Sequence, residues 1–173
     1  MLDASLFPPS AKFCWMRTAV PRQGAPTDLS LHPLEQALVT HSVDKRKAEF
    51  GDARWCAHQA LEALGRDSSK PILRGERGMP LWPSSVSGSL THTDGFRAAV
   101  AAPRLLVHSM GLDAEPAEPL PEGVLGSIAR DSELPQLDQL RSGGLDCADR
   151  LLFCAKEATY KAWFPLTHRW LGF

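Results

Sequence analysis

Neither charge sign dominates this chain. Its 173 residues carry 19 Lys and Arg against 20 Asp and Glu, a formal net charge of -1 with a pI near 6.6. That balance argues against a broadly basic nucleic-acid binder and leaves room for a local basic pocket. Long apolar runs are also missing. Ala98 to Ala102 is mostly alanine and stops at Pro103, well short of the ~18–20 residues of a membrane span. The opening MLDASLFPPS has no basic start followed by an apolar run, so no secretory signal is read. No C-x-x-C pair occurs among Cys14, Cys56, Cys147 and Cys154. Sparse thiols without a signal peptide predict free cysteines in a reducing, cytoplasmic setting, with Cys56 and Cys154 packed as small hydrophobes. Low complexity is absent. With 43% apolar and 23% charged residues, the chain can bury a core as one domain or as two small halves.

Residues 1–33 hold five prolines, with one strand candidate at Lys12 to Val20. Leu34 to Leu64 reads as mainly helical. Leu34, Ala37, Leu38 and His41 share one face; Phe50, Ala53, Ala57, Ala60, Leu61 and Leu64 share another. Gly65 is the expected C-cap. The stretch ILRGERGMPLWP, residues 72–83, predicts a turn or short hairpin. Ser87 to His92 and Arg97 to Ala102 predict two strands joined through Thr93-Asp94-Gly95, and Val107 to Leu112 a further strand. Val124 to Ile128 reads as helical, and the polar stretch Arg130 to Gly144 as a mobile loop. Asp146 to Trp163 predicts a helix, with Leu151, Cys154, Ala155, Ala158 and Ala162 at helical spacing and Pro165 as its stop.

Four constellations could carry chemistry. In GLDAEP, Asp113 and Glu115 fall on one face of an extended segment. Two carboxylates that close repel unless a cation lies between them, and hard oxygen donors suit Mg²⁺. A bare D-x-E is more often a solvated strand end; the apolar VHSMGL before it raises the odds by placing the pair at a core rim. In FCAKEATYKAW, Glu157 and Lys161 share a helix face. They could form a surface ion pair of about 0.3–0.5 kcal/mol. Equally, Glu157 could be a third metal ligand or a general base, with Lys156 and Lys161 holding phosphate oxygens. In SLTH, His92 is either a structural histidine or a phosphate contact. Lastly come the cations Lys45, Arg46, Lys47, Arg54, Arg74 and Arg77. Lys45 to Lys47 could be a wet helix face. Arg74 and Arg77 flank glycines whose backbone N–H groups can approach a phosphate.

The order of these elements carries more than any one of them. A basic helix, RGERGMP, SLTH, GLDAE and KEATYKA follow one another over roughly residues 34 to 173. In this order and at this distance they resemble the Sfp-type 4′-phosphopantetheinyl transferases, nearest to the actinobacterial and enterobactin synthetase component D branch. That resemblance implies an α/β (α+β) fold of two pseudo-twofold-related halves, residues 1–103 and 104–173, with the active site at the seam. It implies transfer of the phosphopantetheine arm of coenzyme A to a serine of an apo acyl or peptidyl carrier protein, releasing 3′,5′-ADP, with Mg²⁺ as cofactor. Asp113, Glu115 and Glu157 are the implied metal ligands, and Glu157 and Lys161 the implied catalytic pair. Lys45, Arg46, Arg54, Arg74, Arg77, His92, Lys156 and Lys161 are the implied contacts to coenzyme A. The resemblance further implies a cytoplasmic monomer that binds neither nucleic acid nor membrane. Family members continue past the KEA helix into more strands, so the second half is expected to be C-terminally truncated. Two alternatives stand beside this reading: a truncated remnant that binds coenzyme A without transferring anything, and a Mg²⁺-dependent phosphohydrolase.

Overall fold

A computed structural model describes residues 2–18 and 31–172. Five strands and four α-helices are found among them: β1 (Lys12–Arg17), α1 (Pro33–Ala37), α2 (Asp44–Ala63), β2 (Leu73–Arg74), β3 (Pro80–Leu81), β4 (Val86–Thr93), β5 (Phe96–Pro103), α3 (Leu134–Ser142) and α4 (Ala148–Thr167). The fold is mixed α/β.

The main sheet has the antiparallel order β1-β5-β4, and β2 and β3 form a separate small hairpin. β5 is the centre. Alanine is a weak strand former, but FRAAVAAP is paired along both edges and buried on both faces. Ala99 and Ala101 face α2, where they meet Cys56, Ala57, Ala60 and Leu61. Small side chains on both partners let helix and sheet approach closely. Ala98, Val100 and Ala102 face the other way, against Met110 and Leu112. The expected inner face of α2 is therefore correct. Gly65, at φ +69°, lets Arg66 N–H reach the Leu61 carbonyl at 2.9 Å and close the helix end.

Several expectations need correction. β1 ends at Arg17, and Ala19 and Val20 lie outside the described residues. The helix expected across 34–64 breaks between α1 and α2. On α1 the apolar face is not the buried one: Leu34 is exposed, whereas Glu35 and Val39 are buried. Val107 to Leu112 is not a strand. Three alternate hydroxyls of β4 hold that segment instead of a backbone ladder. Ser87 Oγ donates to the Val107 carbonyl at 2.6 Å; Ser89 Oγ accepts Leu112 N–H at 3.0 Å; Thr91 Oγ1 accepts Ala114 N–H at 3.1 Å. The 130–144 stretch is ordered. A 3-10 turn at Asp131–Glu133 leads into α3, which buries Leu137 and ends at Gly143 and Gly144. Val124 to Ile128 narrows to a 3-10 turn, Leu125–Ser127. Pro165 does not stop α4, which runs on to Thr167 and is capped by His168 at φ 52°. A proline in a last turn removes a single helical hydrogen bond, so the helix tolerates it. On α4, Leu151 and Ala155 face outward. Among the described residues, 104–173 contain helices and no strand. No described helix is long and apolar enough to cross a membrane.

Candidate active site

A cavity of about 610 Å³ lies between α2, the β2–β3 hairpin and β4 on one side and α4 on the other. Its basic wall comes from helical spacing. Arg46, Phe50 and Arg54 recur every four residues on α2 and so share the face that lines the cavity. Phe50 is buried and acts as a platform: the Arg54 guanidinium carbon lies 4.7 Å from its ring centroid, and that of Arg74, from β2, 4.8 Å. Burial pushes the Arg54 pKa down to about 10; Glu35 opposes that shift and Arg74 adds to it. Arg46 Nη1 donates to His92 Nε2 at 2.6 Å. Burial, with the charge of Arg46 beside it, holds His92 below its usual range despite Glu49. A neutral imidazole is the form that can accept this hydrogen bond. Arg77, in the turn between β2 and β3, completes the cationic rim and stacks 5.2 Å from the ring of Trp170. The opposite wall, from α4, carries Tyr160 and Phe164, and Trp82, directly after β3, adds a third aromatic ring to the lining.

At the α4 side lies an acidic cluster. Lys161 Nζ donates to Asp113 Oδ1 at 2.5 Å and to the Leu112 carbonyl at 3.2 Å. Thr91 Oγ1 donates to the same Asp113 oxygen at 3.2 Å. Asp113 Oδ2 is buried and has no hydrogen-bond partner. Glu157 lines the cavity one helical turn before Lys161. Its carboxyl is pushed above the usual range by burial and by Asp113; Lys161 opposes this and Glu115 adds to it. Glu115 Oε2 is bound by Arg150 Nη1 at 3.2 Å. Cys154 is part of this cluster, and burial with Asp113 and Glu115 beside it raises its thiol to about 11. It is a free thiol, as are the other three cysteines.

This placement is possible because the Leu112 backbone runs directly against α4. A Cβ on Gly111 would lie 1.7 Å from the Ala158 carbonyl oxygen, so only glycine allows that approach. Ser109 Oγ secures it further by donating to the Ala162 carbonyl at 2.7 Å.

Of the residues expected here, Arg46, Arg54, Arg74, Arg77, His92, Glu157 and Lys161 line one cavity. Asp113 joins them through Lys161. Lys45 instead bonds Asp94 at 3.2 Å. Lys156 donates to the Ile128 carbonyl and to Glu133 Oε2, both at 2.7 Å, away from the cavity lining. Among the described residues, no three His, Cys, Asp or Glu side chains converge closely enough to grip a metal ion as they stand. Sequence reasoning missed Phe50, Trp82 and Tyr160. Phe50 had a signal, since an aromatic residue four positions before Arg54 on one helix face can present its ring to that guanidinium.

The cavity draws on two stretches of chain, and comparison with known families divides the sequence at the same place. Residues 34–102 match the 4′-phosphopantetheinyl transferase N-terminal domain. Residues 109–173 match the 4′-phosphopantetheinyl transferase superfamily. This chain belongs to the 4′-phosphopantetheinyl transferase superfamily. Among its relatives in this superfamily, the 4′-phosphopantetheinyl transferase Npt of Nocardia iowensis is 53% identical over 151 residues, 86% of this chain and 65% of that protein. PptT of Mycobacterium tuberculosis is 50% identical over 148 residues, 86% of this chain and 64% of that protein. Enterobactin synthase component D of Salmonella austin is 33% identical over 118 residues, 68% of this chain and 48% of that protein. The chain thus spans a little under two thirds of the length of the first two. In transferase terms, Arg46, Arg54, Arg74, Arg77 and His92 come from the N-terminal domain, and Glu157 and Lys161 from the superfamily domain; the cavity lies where they meet.

Proposed function

We propose that this chain carries the catalytic apparatus for transferring phosphopantetheine from coenzyme A to a serine of an apo acyl or peptidyl carrier protein. The observation that supports it best is the joining, in one cavity, of Arg46, Arg54, Arg74 and Arg77 with Glu157 and Lys161 in a chain of this family. Arg54 and Arg74, braced on Phe50, suit the 3′-phosphate and adenine of coenzyme A. Arg46 and His92 suit a neighbouring phosphate.

Mg²⁺ belongs to the same reading. Its donors fit: Asp113 and Glu157 are hard carboxylates, and the buried Asp113 Oδ2 lacks any partner of its own. Asp113, Glu157 and Glu115 would hold the ion. When bound, it supplies charge neutralisation on the pyrophosphate and orients the leaving group.

The remaining work falls to side chains. The serine oxygen attacks the β-phosphorus and forms the new P–O bond. The bridging P–O bond breaks, and 3′,5′-ADP leaves with its electron pair. Glu157, its carboxyl raised above the usual carboxylate range by burial and Asp113, takes the serine proton. Lys161, tied to Asp113, keeps a cation beside the charge that moves onto the leaving oxygen. Lys156, bound to Glu133 and the Ile128 carbonyl, braces the turn at 128–133 against α4. The chain acts in solution as a monomer in this reading, with residues 1–103 and 104–173 as its two halves.

The test is intact-mass analysis of an apo carrier protein incubated with this chain, coenzyme A and Mg²⁺, with an EDTA control. A metal-dependent gain of one phosphopantetheine on serine is expected. Phosphate release without any gain on the carrier would instead support a phosphohydrolase. Coenzyme A binding without transfer would reduce the chain to a ligand-binding remnant.

A further inference from the structure

One buried carboxylate has no part in the chemistry above. Glu35, on the short helix α1, is 0% exposed. Its Oε1 accepts Ile72 N–H at 2.8 Å. His58 Nε2 lies 3.0 Å from both of its oxygens, and Arg54 Nε lies 3.9 Å from Oε1. A carboxylate with no exposure is tolerated only where charge and hydrogen bonds compensate it. Here α1, α2 and the chain entering β2 all meet on one side chain.

Arg54 is the member of this group that reaches the cavity. It is 3% exposed, and its Nε has no hydrogen-bond partner. Its guanidinium rests on the Phe50 ring, and Arg74, on the same ring, repels it. Neither contact fixes the guanidinium: a ring face has no directional acceptor, and a like charge drives it away. Glu35 is the opposite charge that acts on it.

We propose that Glu35 is a positioning residue for phosphate recognition: it holds the Arg54 guanidinium from behind, against the Phe50 ring and on the cavity wall. This rests on the reading that the cavity takes the 3′-phosphate of coenzyme A.

Two effects of removing the Glu35 charge have opposite signs, which makes the proposal testable. By charge alone, deleting an anion behind a cationic pocket tightens phosphate binding. By positioning, a buried guanidinium without its counter-ion abandons its place and binding weakens. Glu35→Gln separates them, because glutamine can still accept Ile72 N–H and face His58.

The experiment is calorimetric titration of coenzyme A and 3′-dephospho-coenzyme A into four proteins: wild type, Glu35→Gln, Arg54→Ala and the double variant. Wild type is expected to prefer coenzyme A, and Arg54→Ala to lose most of that preference. Glu35→Gln is expected to weaken coenzyme A binding about tenfold, the low end for a close buried charge pair, and to leave the dephospho ligand nearly unchanged. On the Arg54→Ala background, Glu35→Gln should add nothing, the mark of a residue acting through another. Glu35→Gln binding coenzyme A as tightly as wild type, or tighter, overturns the assignment while leaving the pocket reading intact. Equal binding of the two ligands by wild type overturns the pocket reading itself, and the assignment with it. If Glu35→Gln does not fold, Glu35→Asp keeps the charge but draws it back by one methylene. A several-fold loss confined to coenzyme A is then expected, and unchanged affinity overturns the proposal.

Discussion

Gly111→Ala is the smallest change expected to take the site apart. The added methyl would lie 1.7 Å from the Ala158 carbonyl oxygen, 2.7 Å from its carbon and 3.0 Å from the Ala162 nitrogen. All three are backbone atoms in the middle of α4, so no side chain can rotate away. Relieving the first contact to even 3.0 Å moves the 111–113 segment and α4 apart by about 1.3 Å. The Lys161–Asp113 bond of 2.5 Å and the Ser109–Ala162 bond of 2.7 Å span that same gap. Neither survives such a displacement as a hydrogen bond. Overpacking of this kind costs about 1–3 kcal/mol, and loss of two part-buried hydrogen bonds about 1 kcal/mol each. A destabilisation of about 3–5 kcal/mol is therefore expected, read from denaturant unfolding followed by far-ultraviolet circular dichroism. Transfer should fall at least a hundredfold under conditions where the variant is still folded, since a misplacement near 1 Å at a reacting centre has that scale. Unfolding within about 0.5 kcal/mol of wild type, or near-normal turnover, would refute the reasoning.

Other perturbations probe different contacts. Thr91→Val removes the donor to Asp113 and leaves the Ala114 N–H without its acceptor. It should cost about 1–3 kcal/mol and lower Mg²⁺ affinity by isothermal titration, with Thr91→Ser restoring most of both. Phe50→Leu strips the platform from Arg54 and Arg74; about 1–3 kcal/mol of stability and most of the coenzyme A affinity should go together. The pH dependence of stability should report on Glu35. Burial raises its pKa, but His58, Ile72 N–H and Arg54 together more than offset this and leave it below the ordinary 4.5. A depressed carboxylate stabilises above its unfolded value, and the contribution disappears as pH falls through the folded one. Glu35→Gln should therefore be less stable than wild type at pH 7, with the gap narrowing as the pH falls below 4.5. A gap that stays constant across an acid unfolding series would contradict this.

Much of the site was legible because its signals are local. KEATYKA is a helical repeat, so the four-residue spacing of Glu157 and Lys161 puts both on one cavity-lining face of α4. RGERGMP reads as a turn from its glycines and prolines, and it forms the β2–β3 hairpin that carries Arg74 and Arg77. The Asp94-Gly95 hairpin joining β4 to β5 was equally plain. The partner of Lys156 was not legible. Lys156 sits two residues from Ala158 in a motif of cations, yet it bonds Glu133. Local sequence does not tell which distant carboxylate a flexible side chain will reach.

The chain by itself determined the β4–β5 hairpin, the helices α2 and α4, the buried face of α2, and the types of residue the site would use. Those follow from periodicity, turn chemistry and donor identity, which act over a few residues. Tertiary structure alone decided three other matters. It placed Glu35 rather than Leu34 inside, because Arg54, His58 and Ile72 N–H, all distant in sequence, compensate a buried charge. It made 107–112 a tethered segment rather than a strand, because the β4 hydroxyls took its backbone groups. And it set Asp113 against Lys161, 48 residues away, because only a glycine at position 111 lets backbone touch backbone across α4.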